Sequence, residues 1–204
     1  EELGLPVMHH PGTHMATAAV MAFSQPYLFD EVGRTFPKLK LIFSQLGHPW
    51  VDEAILLLSK HPNFFADISD ISSRPWQLYN ALLTAAQQNV TDSLLLGSDF
   101  PFSTPEQVIY NLYSVNHFTK GTAMPTIPRH VLTSIIERDT LAVLGLSDKI
   151  NLPVSETMRL ATSANELLDE TPVLAKVTRS NMPKSALVNP PEVAPDKQSG
   201  AAGN

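Results

Sequence analysis

Cysteine is absent from the 204-residue sequence. Its absence excludes disulfide bonds, thiolate zinc sites and thiol nucleophiles, so any bound metal depends on His, Asp and Glu side chains. The longest apolar runs fall far short of the roughly 20 residues that span a bilayer, and no basic-then-apolar signal opens the chain. We therefore expect a cytoplasmic protein with no membrane-bound segment.

Basic residues are also scarce, and they do not cluster. The sequence has 14 Lys and Arg against 20 Asp and Glu, which gives a formal net charge of −6. This balance excludes the basic surface that is typical of nucleic-acid-binding proteins. We expect a small-molecule substrate and no nucleic acid. The 43% hydrophobic content is typical of a globular domain with a sizeable core.

Four apolar stretches of strand length recur along the chain. They are Leu5 to His9, Leu39 to Gln45, Asn63 to Ile68 and Ser93 to Ser98. Each stretch is apolar on both faces and is followed by a helical or polar segment, a pattern that indicates parallel strands covered by helices on both sides. The sequence therefore predicts an α/β fold of repeated βα units.

Three helices have clear start signals. Asp52 and Glu53 favour the first turn of a helix over Val51 to Lys60. Pro75 opens a helix that continues over Trp76 to Gln88, and Thr104 is the predicted N-cap of a helix that begins at Pro105. A further helix pair is predicted to end near Leu146.

These elements amount to about half of a (β/α)₈ barrel, which takes roughly 250 residues in full. Residues 1–146 are predicted to hold the last four βα units of such a barrel. Residues 147–204 are rich in proline and are predicted to be a largely disordered tail with one helix, Ser155 to Leu168. The abrupt start at Glu1 leads us to expect a fragment or a processed chain.

Three segments carry a family resemblance. They read FPKLKLIFSQLGHPWVDEA from Phe36, KHPNFFAD from Lys60 and LLGSDFPF from Leu95. In this order and at these intervals, they resemble the second half of the amidohydrolase-related family, over about Leu5 to Leu146. The resemblance implies a metal-dependent barrel enzyme that hydrolyses or decarboxylates small carboxylic acids and their derivatives.

The resemblance also implies metal ligands. The family takes them from a His-x-His on the first strand, a His on the fifth and an Asp on the eighth. His10 matches the fifth-strand position, with His9 as the alternative because strand alternation puts the two on opposite faces. Asp99 matches the eighth-strand position. Zinc is the first expectation and manganese the alternative, but no His-x-His occurs in the sequence, so the site is incomplete.

The catalytic residues implied by the resemblance are Asp99, Gln45 and His48. Asp99 could take a proton from metal-bound water; its alternative role is that of a turn residue. Gln45 stands where the family usually has a His, and a Gln can orient a carbonyl but cannot titrate. His48, three residues further on, is a substitute for that His or a simple loop residue.

Asp67 and Arg74 are the predicted substrate-binding residues. Asp67 and Asp70 flank the end of the third predicted strand, so at least one of them would face the barrel mouth and could contact the substrate. Arg74 could pair with a substrate carboxylate in a bidentate manner. Turn formation near Asp67 and solvent exposure of Arg74 are the alternatives. His61, at the end of a predicted helix, is interpreted as structural.

Two functions compete on this sequence. The first is a metal-dependent hydrolase of a small carboxylic ester, lactone or amide, or a decarboxylase of an aromatic acid. The second is an inactive half-barrel that serves as a binding or interaction module. Because a half-barrel has two open sheet edges, a partner such as a second copy in a homo-oligomer could cover them.

Overall fold

A computed structural model describes residues 1–11 and 20–147. Its centre is a four-stranded, fully parallel sheet in the order β1-β2-β3-β4. The strands are β1 (Val7–His9), β2 (Leu41–Phe43), β3 (Phe64–Asp67) and β4 (Leu94–Leu95). The predicted α/β class with four parallel βα units is confirmed. The predicted helix Ser155 to Leu168 and the rest of the predicted tail beyond residue 147 lie outside the described residues.

Six α-helices connect or follow the strands within the described residues. They are α1 (Asp30–Thr35), α2 (Val51–Lys60), α3 (Pro75–Gln87), α4 (Pro105–Ser114), α5 (Arg129–Ile136) and α6 (Thr140–Leu144). Helix α2 has the predicted bounds. Thr104 caps α4 as predicted, because its side-chain oxygen accepts a hydrogen bond from the Gln107 N–H at 3.3 Å. The short helix α1 was not predicted.

The strands are shorter than the apolar stretches that predicted them. The fourth stretch was predicted to run to Ser98, whereas β4 has two residues and ends at Leu95. The chain continues to Asp99, which has a left-handed backbone with φ 57°. Apolar composition marked the buried segment correctly, but the ladder of hydrogen bonds ends where the backbone turns out of the sheet.

One face of the sheet packs against helices α2 to α5 and holds the main core. Strand residues Phe43, Phe64 and Leu94 point to this side and are buried. The rings of Phe43 and Phe64 meet edge to face, with centroids 5.8 Å apart. The spacing of Leu78 and Leu82 on α3 brings both side chains into the same core.

The other face of the sheet is covered more thinly. Its buried residues are Ile42, Phe65 and Leu95, and Leu144 of helix α6 packs against them. The Lys40 ammonium donates a hydrogen bond to the Val143 carbonyl oxygen at 2.6 Å, which ties α6 to the beginning of β2. A cavity therefore remains over this second face, between the sheet and α6, and the candidate site lies there.

In residues 1–11 and 20–147, no helix is both long and apolar enough to cross a membrane.

Candidate active site at the carboxyl ends of the strands

Strand register brings polar residues from three strands side by side. His9 pairs with Phe43, and Phe43 pairs with Ala66. The next residue along each strand is His10, Ser44 or Asp67, and successive side chains of a strand alternate between faces. These three residues therefore lie next to one another on the face opposite the main core.

His9 and His10 differ in their surroundings. The His9 ring packs 4.4 Å from the Phe29 ring, between centroids, and its Nε2 lies 3.3 Å from the Ser24 carbonyl oxygen. Burial lowers the pKa of His9, although the Ser24 contact opposes this shift. His10 instead lines a cavity. Of the two alternatives for a metal ligand, His10 is the one that reaches the cavity, and its role as a ligand remains a prediction.

The cavity has a volume of about 330 Å³ and lies over the thinly covered face. Its wall is apolar on one side, where Met8, Ile42, Leu95 and Leu144 contribute. Polar side chains gather at the carboxyl ends of the strands; they are His10, Ser44, Gln45, Asp67, Ser69 and Asp99. Active sites of parallel α/β barrels are assembled at this end of the strands.

Gln45 reaches the cavity through an unusual turn. Gln45, Leu46 and Gly47 have φ values of 55°, 51° and 67°, in the left-handed region. Residues with a side chain rarely adopt this conformation, so the turn after β2 is strained. The Gln45 N–H donates to Asp67 Oδ1 at 3.1 Å. This bond holds the turn against β3 and directs the Gln45 side chain inward.

Asp67 is the acceptor at the centre of this network. Besides the Gln45 N–H, its Oδ1 accepts hydrogen bonds from the Ser69 N–H at 3.0 Å and from the Ser69 hydroxyl. A Cβ at Gly97 would lie 3.3 Å from Asp67 Cβ. A glycine at this position therefore leaves room for the carboxylate. Asp67 lies at the cavity, where it organises the site, and its contact with substrate remains a prediction.

Asp99 faces Gln45 across the polar end of the cavity. The Gln45 side-chain NH₂ donates to Asp99 Oδ2 at 3.4 Å. Asp99 lies in the loop after β4 and precedes a cis peptide bond between Phe100 and Pro101. The hydrogen bond engages Oδ2, and no bond from the described residues engages Oδ1, which could therefore take a metal or a proton. The predicted catalytic and metal-binding roles of Asp99 stay predictions.

Two of the predicted site residues do not join this group. The His48 N–H donates to the Gln45 carbonyl oxygen at 3.0 Å, and His48 is not among the residues that line the cavity. Arg74 forms a salt bridge with Asp70 and a 3.3 Å hydrogen bond with Gln77. Arg74 also lies away from the cavity lining, so its predicted pairing with a substrate carboxylate gains no support from the geometry.

His61 takes part in a separate cluster on the other side of the sheet. Its Nε2 lies 2.9 Å from Asp30 Oδ1, and the Lys60 ammonium lies 2.6 Å from the same oxygen. These two hydrogen bonds lower the pKa of Asp30 to about 2, and the bond from Lys60 has the larger effect. A Cβ at Gly33 would lie 2.7 Å from the His61 ring. His61 thus links α1 to the end of α2, in agreement with the structural interpretation.

The sequence also matches a known protein family. A sequence model of the family described as Amidohydrolase matches residues 1–122, which is more than half of the chain. The chain belongs to the amidohydrolase family. Together with the parallel sheet, this match confirms the predicted amidohydrolase-related barrel, of which the chain carries about four βα units.

Comparison with individual proteins gives weaker similarity than the family match does. An uncharacterized TIM-barrel protein from Bordetella bronchiseptica has a solved structure with a TM-score of 0.47 and 18% sequence identity to this chain. The similarity covers 79% of this chain and 48% of that one, so the present chain spans about half of that structure's length. The search of curated proteins found no match.

The site has side chains of the types that bind divalent metals, but the described residues provide too few of them to complete a metal site. Amidohydrolases generally use divalent metals, and an imidazole with a carboxylate suits zinc. His10 and Asp99 both line the cavity. In the described part of the chain, however, no three His, Asp or Glu side chains come together as a group that could hold a metal ion. A catalytic zinc takes three protein ligands, so the described residues supply only part of such a set.

Several residues of the site were not predicted. Ser44 and Ser69 line the polar end of the cavity, and Gly97 makes room for Asp67. Ser44 could have been found by the period-two alternation that selects His10, because it follows Phe43 on the neighbouring strand. The turn residue Ser69 bonds Asp67 two residues earlier, a local contact that the Asp67-Ile68-Ser69 segment could have indicated. Gly97 gave no such signal, since its role depends on how closely its segment approaches Asp67.

Proposed function

We propose that this chain contributes part of the active site of a metal-dependent hydrolase. Its substrate would be a small carboxylic ester, lactone or amide; decarboxylation of an aromatic acid is the alternative within the same family. The observation that carries the proposal is the convergence of His10, Gln45, Asp67 and Asp99 on one cavity at the carboxyl ends of parallel strands.

In this proposal His10 and Asp99 hold a divalent metal, with zinc as the first choice and manganese as the second. A bound metal of this kind polarises a carbonyl oxygen and lowers the pKa of bound water to about 7. Asp99 Oδ1, which is free of the bond to Gln45, accepts the proton of the attacking water. Gln45 cannot titrate, so its part is to orient Asp99 and the substrate.

Further ligands are needed, because the sequence contains no His-x-His and no three His, Asp or Glu side chains come together in the described part of the chain. Residues of a longer protein or a second chain would supply them across an open edge of the sheet. Asp67 accepts hydrogen bonds from Ser69 and the Gln45 N–H, and in this proposal it would hold the Gln45 turn in place beside the metal. The proposal gives Arg74 and His48 no role in the reaction, because neither residue lines the cavity.

Metal titration tests the proposal directly. The metal content of the purified protein is measured by elemental analysis, and zinc and manganese are then titrated into wild type, His10→Ala and Asp99→Asn. We expect stoichiometric binding by the assembled protein, in which a second copy of the chain supplies the further ligands, and we expect both substitutions to abolish it. His130→Ala and Asp52→Asn, at exposed positions on α5 and α2, serve as matched controls and should bind metal normally. Wild-type protein that binds neither metal would overturn the proposal.

A non-catalytic binding module is the second candidate. It is favoured by Gln45, which replaces a titratable residue of the family pattern, and by the shortage of metal ligands among the described residues. The module would bind small molecules in the same cavity without metal. Metal-independent ligand binding, with no turnover of esters, lactones or amides by the metal-loaded protein, would favour this candidate.

A further inference from the structure

Helix α6 lies across the amino-terminal end of the sheet. Just before α6, the Arg138 guanidinium donates hydrogen bonds to the Thr91 carbonyl oxygen at 3.4 Å and to Asp92 Oδ1 at 3.1 Å, and these two residues directly precede the start of β4. Near the end of α6, the Val143 carbonyl oxygen accepts a 2.6 Å hydrogen bond from Lys40, which directly precedes β2. Because the strands are parallel, both contacts lie at the same end of the sheet.

Two residues of α6, Thr140 and Leu144, line the cavity. Leu144 packs against Ile42, Phe65 and Leu95 on the thinly covered face of the sheet and is 7% exposed. Its position is fixed, because the hydrogen bonds on either side of it in the sequence hold α6 to the starts of β2 and β4. Leu144 therefore forms an apolar base of the cavity at the amino-terminal ends of the strands.

The polar end of the cavity lies at the opposite, carboxyl ends of the strands. Along β2 and the residue after it, Ile42 and Ser44 both line the cavity and are two residues apart. Successive strand residues rise by about 3.3 Å, so the wall changes from apolar to polar over about 7 Å. The cavity therefore has a polar end near His10 and Asp99 and an apolar end near Leu144.

This polarity determines how a ligand lies in the cavity. A polar head group is favoured beside the side chains at the carboxyl ends of the strands, and a hydrocarbon tail is favoured beside Ile42, Leu95 and Leu144. The tail then runs along the sheet toward α6. Because α6 is held at both ends, the tail has a limited depth available to it.

We infer that Leu144 is a specificity-determining residue: it closes the apolar end of the cavity and limits the length of the ligand's hydrocarbon tail. This inference rests on the proposed function, because it defines which small carboxylic esters, lactones or amides the same cavity accepts. Compounds with a polar head and one short apolar tail fit this requirement. Compounds with a longer tail gain no further binding from it, because α6 lies in its path.

A series of straight-chain primary amides, from butanamide to nonanamide, tests the inference without metal. Amides are used because they are neutral, whereas Asp67 and Asp99 at the polar end would repel the carboxylate of a free acid. Dissociation constants are measured by ligand-observed NMR in the presence of a metal chelator. In wild-type protein each added methylene should tighten binding about fourfold until the tail reaches Leu144, and further methylenes should add nothing.

Substitutions at Leu144 should move this length limit in opposite directions. Leu144→Ala opens the base of the cavity, so the first amide beyond the wild-type limit should bind this variant about fourfold more tightly than it binds wild type. Leu144→Phe should move the limit to a shorter amide. Leu141→Ala, on the same helix but outside the cavity lining, is the matched control and should keep the wild-type limit. A limit that is the same in all variants, affinity that rises throughout the series in wild type, or no binding of any amide would overturn the inference.

A measurement on the wild-type chain guards against Leu144 variants that do not fold. The Leu methyl groups are labelled with ¹³C, and Leu144→Met, which conserves side-chain volume, identifies the Leu144 signals. The terminal methyl group of the amide at the length limit should show a nuclear Overhauser effect to the Leu144 methyl groups, and the inference is wrong if it shows none. Failure of the proposed metal-dependent hydrolysis would instead appear in the titration of zinc against His10→Ala and Asp99→Asn, which does not involve these amides.

Discussion

On one face of the sheet Phe43 is completely buried among helices, whereas on the other face Met8 is 59% exposed at the wall of a cavity. The two residues belong to neighbouring strands. The first face is filled by apolar side chains from four helices. The second face carries His10 and Asp67, and Asp99 lies at the same cavity. The same short strands therefore supply a core on one side and a site on the other, because alternate side chains point in opposite directions.

This difference separates residues that hold the fold from residues that carry the chemistry. Substitutions on the core face should lower the free energy of unfolding, and substitutions on the cavity face should alter binding with less effect on stability. Three comparisons between the faces can test this division.

The largest effect is expected from Phe43→Ala. Phe43 packs against the rings of Phe29 and Phe64, and removal of a buried Phe side chain costs about 3–5 kcal/mol in unfolding free energy. Met8→Ala, on the cavity face, should cost less than about 1 kcal/mol because much of its side chain is already in water. Urea unfolding measures both values. Equal losses in the two variants would show that the cavity face contributes as much packing as the core.

Two glycines provide a second comparison of intermediate size. A Cβ at Gly33 would lie 2.7 Å from the His61 ring, so Gly33→Ala should cost about 1–3 kcal/mol through overpacking. Gly97→Ala would put a Cβ 3.3 Å from Asp67 Cβ, a contact that Asp67 can relieve by a small shift. We expect Gly97→Ala to weaken zinc binding more than it lowers stability.

Unfolding and binding measured on both glycine variants decide between these outcomes. Each variant is the control for the other, because both add one methyl group to a close contact. The division of the faces would be wrong if Gly33→Ala impaired binding and Gly97→Ala left it unchanged.

The smallest effect concerns the pH dependence of stability at His9. Because the pKa of His9 in the folded protein is below its ordinary value of 6.5, the unfolded chain takes up a proton first as the pH falls. The unfolding free energy should therefore decrease as the pH falls from about 6.5 through the folded pKa, and no such loss is expected above that range. His9→Leu should remove this part of the pH dependence.

Urea midpoints at about pH 7.5 and 5.5 measure the difference. His130→Leu, at an exposed position on α5, is the matched control and should retain the wild-type pH dependence. A wild-type midpoint that is higher at the lower pH would contradict the sign of this prediction.

Much of the fold could be predicted from local signals. Helix α2 has the predicted bounds, and Pro75 and Pro105 begin α3 and α4 as expected, because proline suits the first turn of a helix. The short helix α1 was missed: it has six residues and contains Gly33, so it lacks the length and periodicity by which helices are recognised. The end of β1 was placed correctly at His9, but the ends of the other three strands were placed too far along the chain, since apolar composition does not mark where a ladder stops.

The site could be predicted only in part. The residues His10 and Asp99 were found through the family resemblance, and both line the cavity. The bonds that join Gln45 to Asp67 and Asp99 could not be predicted, because they depend on a left-handed turn that Gln and Leu rarely adopt. Arg74 was selected for its charge, and the structure pairs it with the nearby Asp70, so its substrate contact stays a prediction.

The sequence by itself determined the order of parallel βα units, the starts of the main helices and the membership in the amidohydrolase family, because these features rest on local periodicity, helix caps and contiguous motifs. Only the tertiary structure decided that His10 rather than His9 faces the cavity, that Asp67 is the acceptor that organises the site, and that Gln45 is buried beside Asp99. These outcomes depend on strand register and on contacts between residues far apart in the chain, and no local pattern encodes such contacts.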